Sequence, residues 1–319
     1  MGCQVFIMLS SFCLCLSYDR NRQSLIVFFR KRLAKIVPGY WAMIGLGVFA
    51  SSFSILCSGK NIFALDVEPT HVLTNLLLIN GICPGPANNQ VVRGGWFVGT
   101  IVLLYLLFPL LMAFFNMQRR WWLCMRKWIF PLLIWGNAFL ILIVAEQIDS
   151  SYFCSNNSFS YYSFINQLPC FAMGFSLYDV VKIQGMNRIK HPAIKGTAIL
   201  FVSFSLFYSR YAHAFILQPI VFSLSAFYFY IYLERAEMSF TKITDHLCQW
   251  GDMSYAVFLT HTIIVWDLAG VFVKLLPLNE QNSVVLFVIC LPLLYFSVFE
   301  LGKLFNRLLQ IVDAKVKKS

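Results

Sequence analysis

Nine apolar stretches recur along this chain, at roughly residues 2–17, 36–57, 94–115, 128–145, 161–180, 193–210, 213–233, 254–276 and 284–305. Most approach the about 20 residues that a bilayer core requires. In hydrocarbon each backbone N–H and C=O must be satisfied internally, and within a single segment only an α-helix does this. The expected fold is therefore all-α, a polytopic transmembrane helical bundle of about nine spans. Composition closes off the soluble alternative: 59% of the 319 residues are hydrophobic and only 12% charged, too little charge to coat a water-soluble domain. The first stretch lacks the basic leader and small-residue cleavage site of a signal peptide, and is read as a retained helix.

Charge sets the expected orientation. In FFRKRLAKIVPGYW, residues 28–41, Arg30, Lys31, Arg32 and Lys35 crowd together before Pro38 opens an apolar run reaching Cys57. Carrying one Arg or Lys to the bilayer centre costs roughly 2.5–3.5 kcal/mol on insertion scales, so four together hold this end in the cytoplasm. Alternation then places the linkers near 116–127, 181–195 and 234–253, and the tail after 302, on the same side. With residues 18–35 they carry 21 of the 25 Lys and Arg. The expected amino terminus is outside and the carboxyl terminus cytoplasmic. The net charge of +11 is spread along a membrane face, which suits membrane lipids as partners and argues against nucleic acid, whose binding needs one basic patch.

Residues 58–93 form the longest expected external loop. Its apolar run at 72–81, VLTNLLLING, is too short to cross and reads as a short or re-entrant helix, followed by the turn-rich GICPGPANN. The ten cysteines show no metal-binding spacing, so no metal site is expected. No P-loop, dinucleotide-binding glycine signature or internal repeat is present.

Ionisable residues inside the spans are the candidates for chemistry, because each must be solvated, paired or neutral there. His261, Asp267 and Glu300 stand out. His261 lies seven residues past Ser254, about 10 Å deep, and Glu300 five residues before the end of the last span, about 8 Å deep, at about 1.5 Å per residue. A carboxylate at that depth would fix the imidazole tautomer and raise its basicity, as a general base or proton relay requires. Taken singly, each also fits a structural role, His261 bonded to a carbonyl and Glu300 reaching the interface. Asp267 sits about 240° round the helix from His261, nearer the outside. Arg32 and Lys35, three apart on one helical face, can grip the phosphates of an anionic cytosolic ligand or anchor the helix among lipid headgroups.

Several stretches, in order, resemble the acyltransferase 3 family of multispanning membrane proteins. FIMLSSFCL at 6–14 is similar to the family's FFVLSGFLL helix, and RKRLAKIVPGYW at 30–41 to its RRLLRIYPAYW segment. WFVGTIVLLYLLFP at 96–109 resembles its tryptophan, glutamate, tyrosine and proline pattern, and MSYAVFLTH at 253–261 its SYxxYLxH helix. QLPCFAMGF at 167–175 and FELGK at 299–303 match weaker late motifs. The resemblance implies a membrane O-acyltransferase moving an acyl group, commonly acetyl, from cytosolic acyl-CoA to a hydroxyl of a cell-surface or exported carbohydrate or lipid-linked glycan. It also implies a bacterial cytoplasmic (inner) membrane. Carried over by position, it assigns Arg32 and Lys35 to the acyl-CoA phosphates, Trp96 and Tyr105 to the central motif, and Tyr255, His261 and Glu300 to catalysis.

The departures are equally specific. Ile101 stands where the family has glutamate, Lys35 where it has arginine, and Ser11 where it has glycine. The family pattern of ten spans opens with a helix bearing an arginine and a histidine, and this chain corresponds to that pattern from the second span onward. Two other function classes remain beside the acyltransferase: a proton-coupled transporter or flippase relaying protons through His261 and Glu300, and a catalytically dead membrane scaffold. Acyl-CoA turnover and substrate movement in sealed vesicles separate the three.

Overall fold

A computed structural model of the chain describes residues 2–20, 24–59, 68–82, 91–92, 94–116, 132, 135–137, 139, 159–208, 214–236, 251, 253–261, 292, 295–308 and 310. Among the described residues there is no strand. The main helices are α1 (Gly2–Arg20), α2 (Leu25–Ser58), α3 (Pro69–Leu76), α4 (Trp96–Phe115), α5 (Phe164–Asp179), α6 (Pro192–Phe207) and α7 (Ala214–Arg235). Residues 253–261 and 295–308 are also helical, apart from the undescribed neighbours at their borders. Helices α1, α2 and α4 are long and apolar enough to cross a bilayer, and α6 is a shorter apolar helix. The protein is an all-α integral membrane protein. The expected span at 128–145 and much of those at 254–276 and 284–305 lie outside the described residues, as does Asp267.

Helix α2 departs from expectation in an informative way. It begins at Leu25 and carries Pro38 in its interior, so proline does not open it. Proline lacks an N–H and leaves the carbonyl four residues earlier without its helical donor, but the long flanking helix carries the chain through. At about 1.5 Å per residue, 34 residues extend about 50 Å, well past an about 30 Å hydrocarbon core. The basic block therefore stands on the helix itself, and not in a loop before it. Ile36, Tyr40, Met43, Gly47, Ser51 and Ser54 are buried at helical spacing. On the other face Phe49, Phe53 and Leu56 are exposed, the last at 85%. Large apolar side chains standing open on a 34-residue helix are what a lipid-facing surface requires.

The chain divides into two compact units: Met1–Arg30, Leu77–Asn88 and Trp96–Met238 in the first, Lys31–Leu76, Asn89–Gly95 and Ser239–Ser319 in the second. In the first unit α1, α4 and α5 run in one direction. Gln4 meets Gln167 while Asp19 lies against Tyr178; Phe6 packs on Phe97 while Tyr18 packs on Phe108. Helix α6 returns, and α7 runs antiparallel to it, with Ser225 bonded to the Gly196 carbonyl and Arg235 to that of Ile189. Arg20, the Lys182–Lys195 turn and Arg235 consequently share one end of this unit. That convergence brings together three of the segments expected to lie on one membrane face.

The tightest approach in the first unit is between α1 and α5. A Cβ on Gly174 would lie 2.4 Å from the Met8 carbonyl oxygen and 2.5 Å from Ser11 Oγ. Ser11 occupies the family's glycine position, so the hydrogen side chain that lets two helices touch here comes from Gly174 of the partner helix. Small residues at such crossings are how membrane helices gain van der Waals contact without a solvent-driven term.

In the second unit, Tyr40 and Trp41 hold α3. The buried Tyr40 hydroxyl lies 2.5 Å from Asn75 Oδ1 and 3.3 Å from the Gly95 carbonyl. Trp41 Nε1 donates to the Leu76 carbonyl at 3.1 Å. A helix of eight residues is marginal in isolation, and these bonds from α2 explain why it is ordered here. A short helix thus occupies the segment where a short or re-entrant one is expected.

Candidate active site

Five of the seven sequence-predicted site residues, Arg32, Lys35, Tyr255, His261 and Glu300, fall in the second unit, and Trp96 and Tyr105 in the first. Arg32 and Lys35 ride the early turns of α2, Lys35 exposed and Arg32 half-buried. The next residue, Ile36, is the anchor point for the late motif: Tyr255 Oη donates to its carbonyl at 2.6 Å. That bond fixes the 253–261 helix to α2 directly beside Lys35. His261 follows Tyr255 by six residues, about 9 Å further along its helix. Cations at one level and an imidazole about 9 Å beyond it are thereby held on two cross-braced helices.

The imidazole is itself oriented. His261 Nδ1 is 2.5 Å from the carbonyl oxygen of Phe258, one turn back. A carbonyl can only accept, so Nδ1 carries the proton and Nε2 of the neutral ring is the lone-pair nitrogen. The ring also packs against Phe258, centroids 5.6 Å apart, and is half-buried, not sealed. This is a general base with a defined tautomer and an accessible basic nitrogen.

Glu300 does not supply that orientation. Its carboxylate accepts from Lys303 Nζ at 2.9 Å and its side chain is 45% exposed. Among the described residues, the imidazole and the carboxylate have these separate partners and do not bond each other. Their helices nevertheless touch: a Cβ on Gly302 would lie 2.6 Å from Val257 Cγ2. Gly302 is two residues from Glu300 and Val257 four from His261. With the opposed directions that alternation gives these two spans, Glu300 and His261 stand within about 3 Å of the same level. An i,i+3 pair as exposed as Glu300–Lys303 contributes only about 0–1 kcal/mol, little to hold the carboxylate where it is.

In the first unit Trp96 and Tyr105 are buried packing residues. Trp96 sits 4.8 Å from the Tyr162 ring, and Tyr105 6.4 Å from that of Phe171. Ile101 between them is 2% exposed, so the position where the family has a carboxylate is here part of an apolar helix contact. Sequence reading passed over a cluster of amides at the end of this unit away from its basic turn. Gln4 Nε2 donates to Tyr161 Oη at 3.0 Å, Gln167 Nε2 to the Tyr161 carbonyl at 2.7 Å, and Asn137 Nδ2 to Asn166 Oδ1 at 2.9 Å. Gln4 Oε1, Asn137 Oδ1 and Asn166 Nδ2 are buried without a hydrogen-bond partner among the described residues. Gln and Asn inside apolar runs were the available signal, and interhelical hydrogen bonding is their first use in a membrane bundle.

The family model described as an acyltransferase domain matches residues 1–299. The chain belongs to the acyltransferase 3 family. The match runs through both compact units, and it makes the general class of this protein that of the membrane acyltransferases. No curated protein and no solved structure matches it. Among the described residues of this acyltransferase 3 chain, no group of His, Cys, Asp and Glu is placed to hold a metal ion.

The Tyr255 brace separates positioning from chemistry. Tyr255→Phe keeps the ring and removes only the donor to Ile36, a loss of about 1 kcal/mol. Acyl transfer by this variant is expected to fall by less than about tenfold, and the melting temperature by a few degrees. A loss as deep as that of a His261 variant would instead put the phenol among the reacting groups.

Proposed function

We propose that this protein is an O-acyltransferase that takes an acyl group, commonly acetyl, from cytosolic acyl-CoA and passes it to a hydroxyl of a carbohydrate or lipid-linked glycan in a bacterial cytoplasmic membrane. The observation that carries the reading is the His261 imidazole, its Nδ1–H committed to Phe258, on a helix that Tyr255 ties to α2 beside Lys35. His261 Nε2 removes the acceptor's hydroxyl proton as the oxygen attacks the thioester carbonyl. The carbonyl carbon–sulfur bond then breaks, and the proton goes to the leaving CoA thiolate. Arg32 and Lys35 bind CoA phosphates, the guanidinium able to do so in bidentate fashion and the ammonium as a point charge. The basic ends of the helices face the cytoplasm, because that is the side on which Lys and Arg are retained. Glu300, at nearly the level of His261, steadies the imidazolium that forms.

The test is made on the full chain, purified and reconstituted in sealed vesicles with acetyl-labelled CoA outside. Release of free CoA thiol that rises when a hydroxylated carbohydrate is supplied, with label recovered on the carbohydrate, is the expected result. Movement of a substrate across the vesicle without thiol release would indicate a transporter. Neither turnover nor movement would indicate a scaffold.

A further inference from the structure

The turn between α5 and α6 carries a guanidinium whose binding edge is unused. After α5 the chain makes a π-helical turn, Val180–Gln184, and a 3-10 turn, Met186–Arg188. Gly185 and His191 both adopt positive φ, 82° and 50°. The two reversals present the Ile189 carbonyl to the last residue of α7, and Arg235 Nη1 donates to it at 2.8 Å. That bond fixes the plane of the guanidinium. Its Nε and Nη2, the two donors that form the side-on fork, are both buried with no hydrogen-bond partner among the described residues. The neighbouring carboxylate, Glu234, engages Tyr230 instead.

A cation with two desolvated donors unmet is a costly arrangement, since donors on a charged group lose more than neutral ones when left unpaired. The fork geometry matches two oxygens of one phosphate or carboxylate. Around it the charge is uniformly positive: Arg188 and Lys190 flank Ile189, Lys182 and Lys195 lie on the same turn, and all four are exposed. Lys195 Nζ stands 5.9 Å from the Tyr228 ring centroid. Four mobile cations around one fixed fork favour the anion with the higher charge and more acceptor oxygens, which is phosphate.

We propose that Arg235, with the Lys182–Lys195 turn, forms a phosphate-binding site, the guanidinium setting the geometry and the lysines and Arg188 supplying field. Phosphate can arrive as the headgroup of an anionic lipid or on a soluble nucleotide. The site does not depend on the acyl-transfer reading, since it requires no turnover.

Two probes distinguish the sources: phosphatidylglycerol and adenosine bisphosphate, each titrated against the delipidated full chain in detergent, with binding read as a rise in melting temperature. The wild-type chain is expected to bind at least one. Lipid alone would mark a headgroup site, and nucleotide alone a soluble-ligand site. Arg235→Gln is expected to weaken binding by about 10- to 100-fold, the range for hydrogen bonds to a charged group. Arg235→Lys keeps the charge but loses the fork, and is expected to weaken it by about tenfold. If Arg235→Gln fails to fold for want of the Ile189 bond, the lysine variant decides. Wild-type affinity in Arg235→Lys, or no binding of either probe to the wild-type chain, overturns the proposal.

Discussion

His261→Ala is expected to lower acyl transfer by at least about a hundredfold, within the about 10²–10⁴ that general-base catalysis supplies, while the protein still inserts and remains monodisperse. The reasoning lies in which nitrogen is available. Nδ1 is held by the Phe258 carbonyl, so Nε2 is the one imidazole atom that can take the acceptor's proton, and alanine removes it without offering a substitute. The only polar bond lost is to a carbonyl one turn back on the same helix, and that carbonyl is also a helical acceptor, so packing is hardly touched. His261→Gln is the stricter companion, since it keeps a polar side chain of similar reach that cannot act as a base near neutral pH. Both variants should retain acyl-CoA binding, because the cations proposed to hold it are on α2. Thiol release at the wild-type rate in either variant would take His261 out of the chemistry.

The largest effect on stability is expected at Gly174. Adding one methyl in Gly174→Ala places Cβ 2.4 Å from a backbone oxygen, that of Met8, and 2.7 Å from Ser11 Cβ. Backbone cannot rotate away as a side chain can, so α1 has to move off α5 along a face that includes Ile7, Met8, Leu14 and Cys15, all buried. Overpacking of this kind costs typically about 1–3 kcal/mol, and the tight backbone contact puts this case at the upper end. The expected fall in melting temperature in detergent is about 5–10 °C. Two other glycines calibrate the measurement. In Gly196→Ala the new methyl meets the Phe229 ring at 3.3 Å, and a small shift of the ring relieves it. At Gly45 nothing lies within 4 Å, and alanine should be neutral or slightly stabilising through its better helix propensity. Equal melting temperatures for the Gly174 and Gly45 variants would mean that α1 and α5 do not touch as described.

Much of the architecture was legible because membrane helices obey a one-dimensional rule. An apolar run of sufficient length must be helical, and expected stretches at 2–17, 94–115, 193–210 and 213–233 correspond to helices α1, α4, α6 and α7. Borders were less legible. Helix α2 starts at Leu25, well before the apolar run, because a charged segment is as able to be helical as an apolar one, and hydropathy reports only where hydrocarbon begins. Pro38 looked like a boundary, yet it sits inside the helix.

The candidate site divides along similar lines. His261 announced itself as a titratable group in an apolar run, and the motifs pointed to Tyr255. What each bonds to was not legible: Tyr255 reaches across 219 positions to Ile36, and the His261 tautomer is fixed by Phe258, not by the carboxylate that its depth suggested. Gln4, Asn137 and Asn166 were overlooked because an uncharged amide hardly changes the hydropathy of its span.

By itself the sequence determined that this chain is a helical membrane protein of the acyltransferase 3 type with its positive charge segregated to particular linkers, since chain-local hydropathy and charge suffice for both. Only the tertiary structure decided which neighbour completes each polar group: Gly174 making room for Ser11, Phe258 orienting His261, Ile189 aligning the Arg235 fork. Those pairings depend on a few ångströms of helix register and on directional hydrogen bonds, and neither quantity exists until helices far apart in the chain have packed.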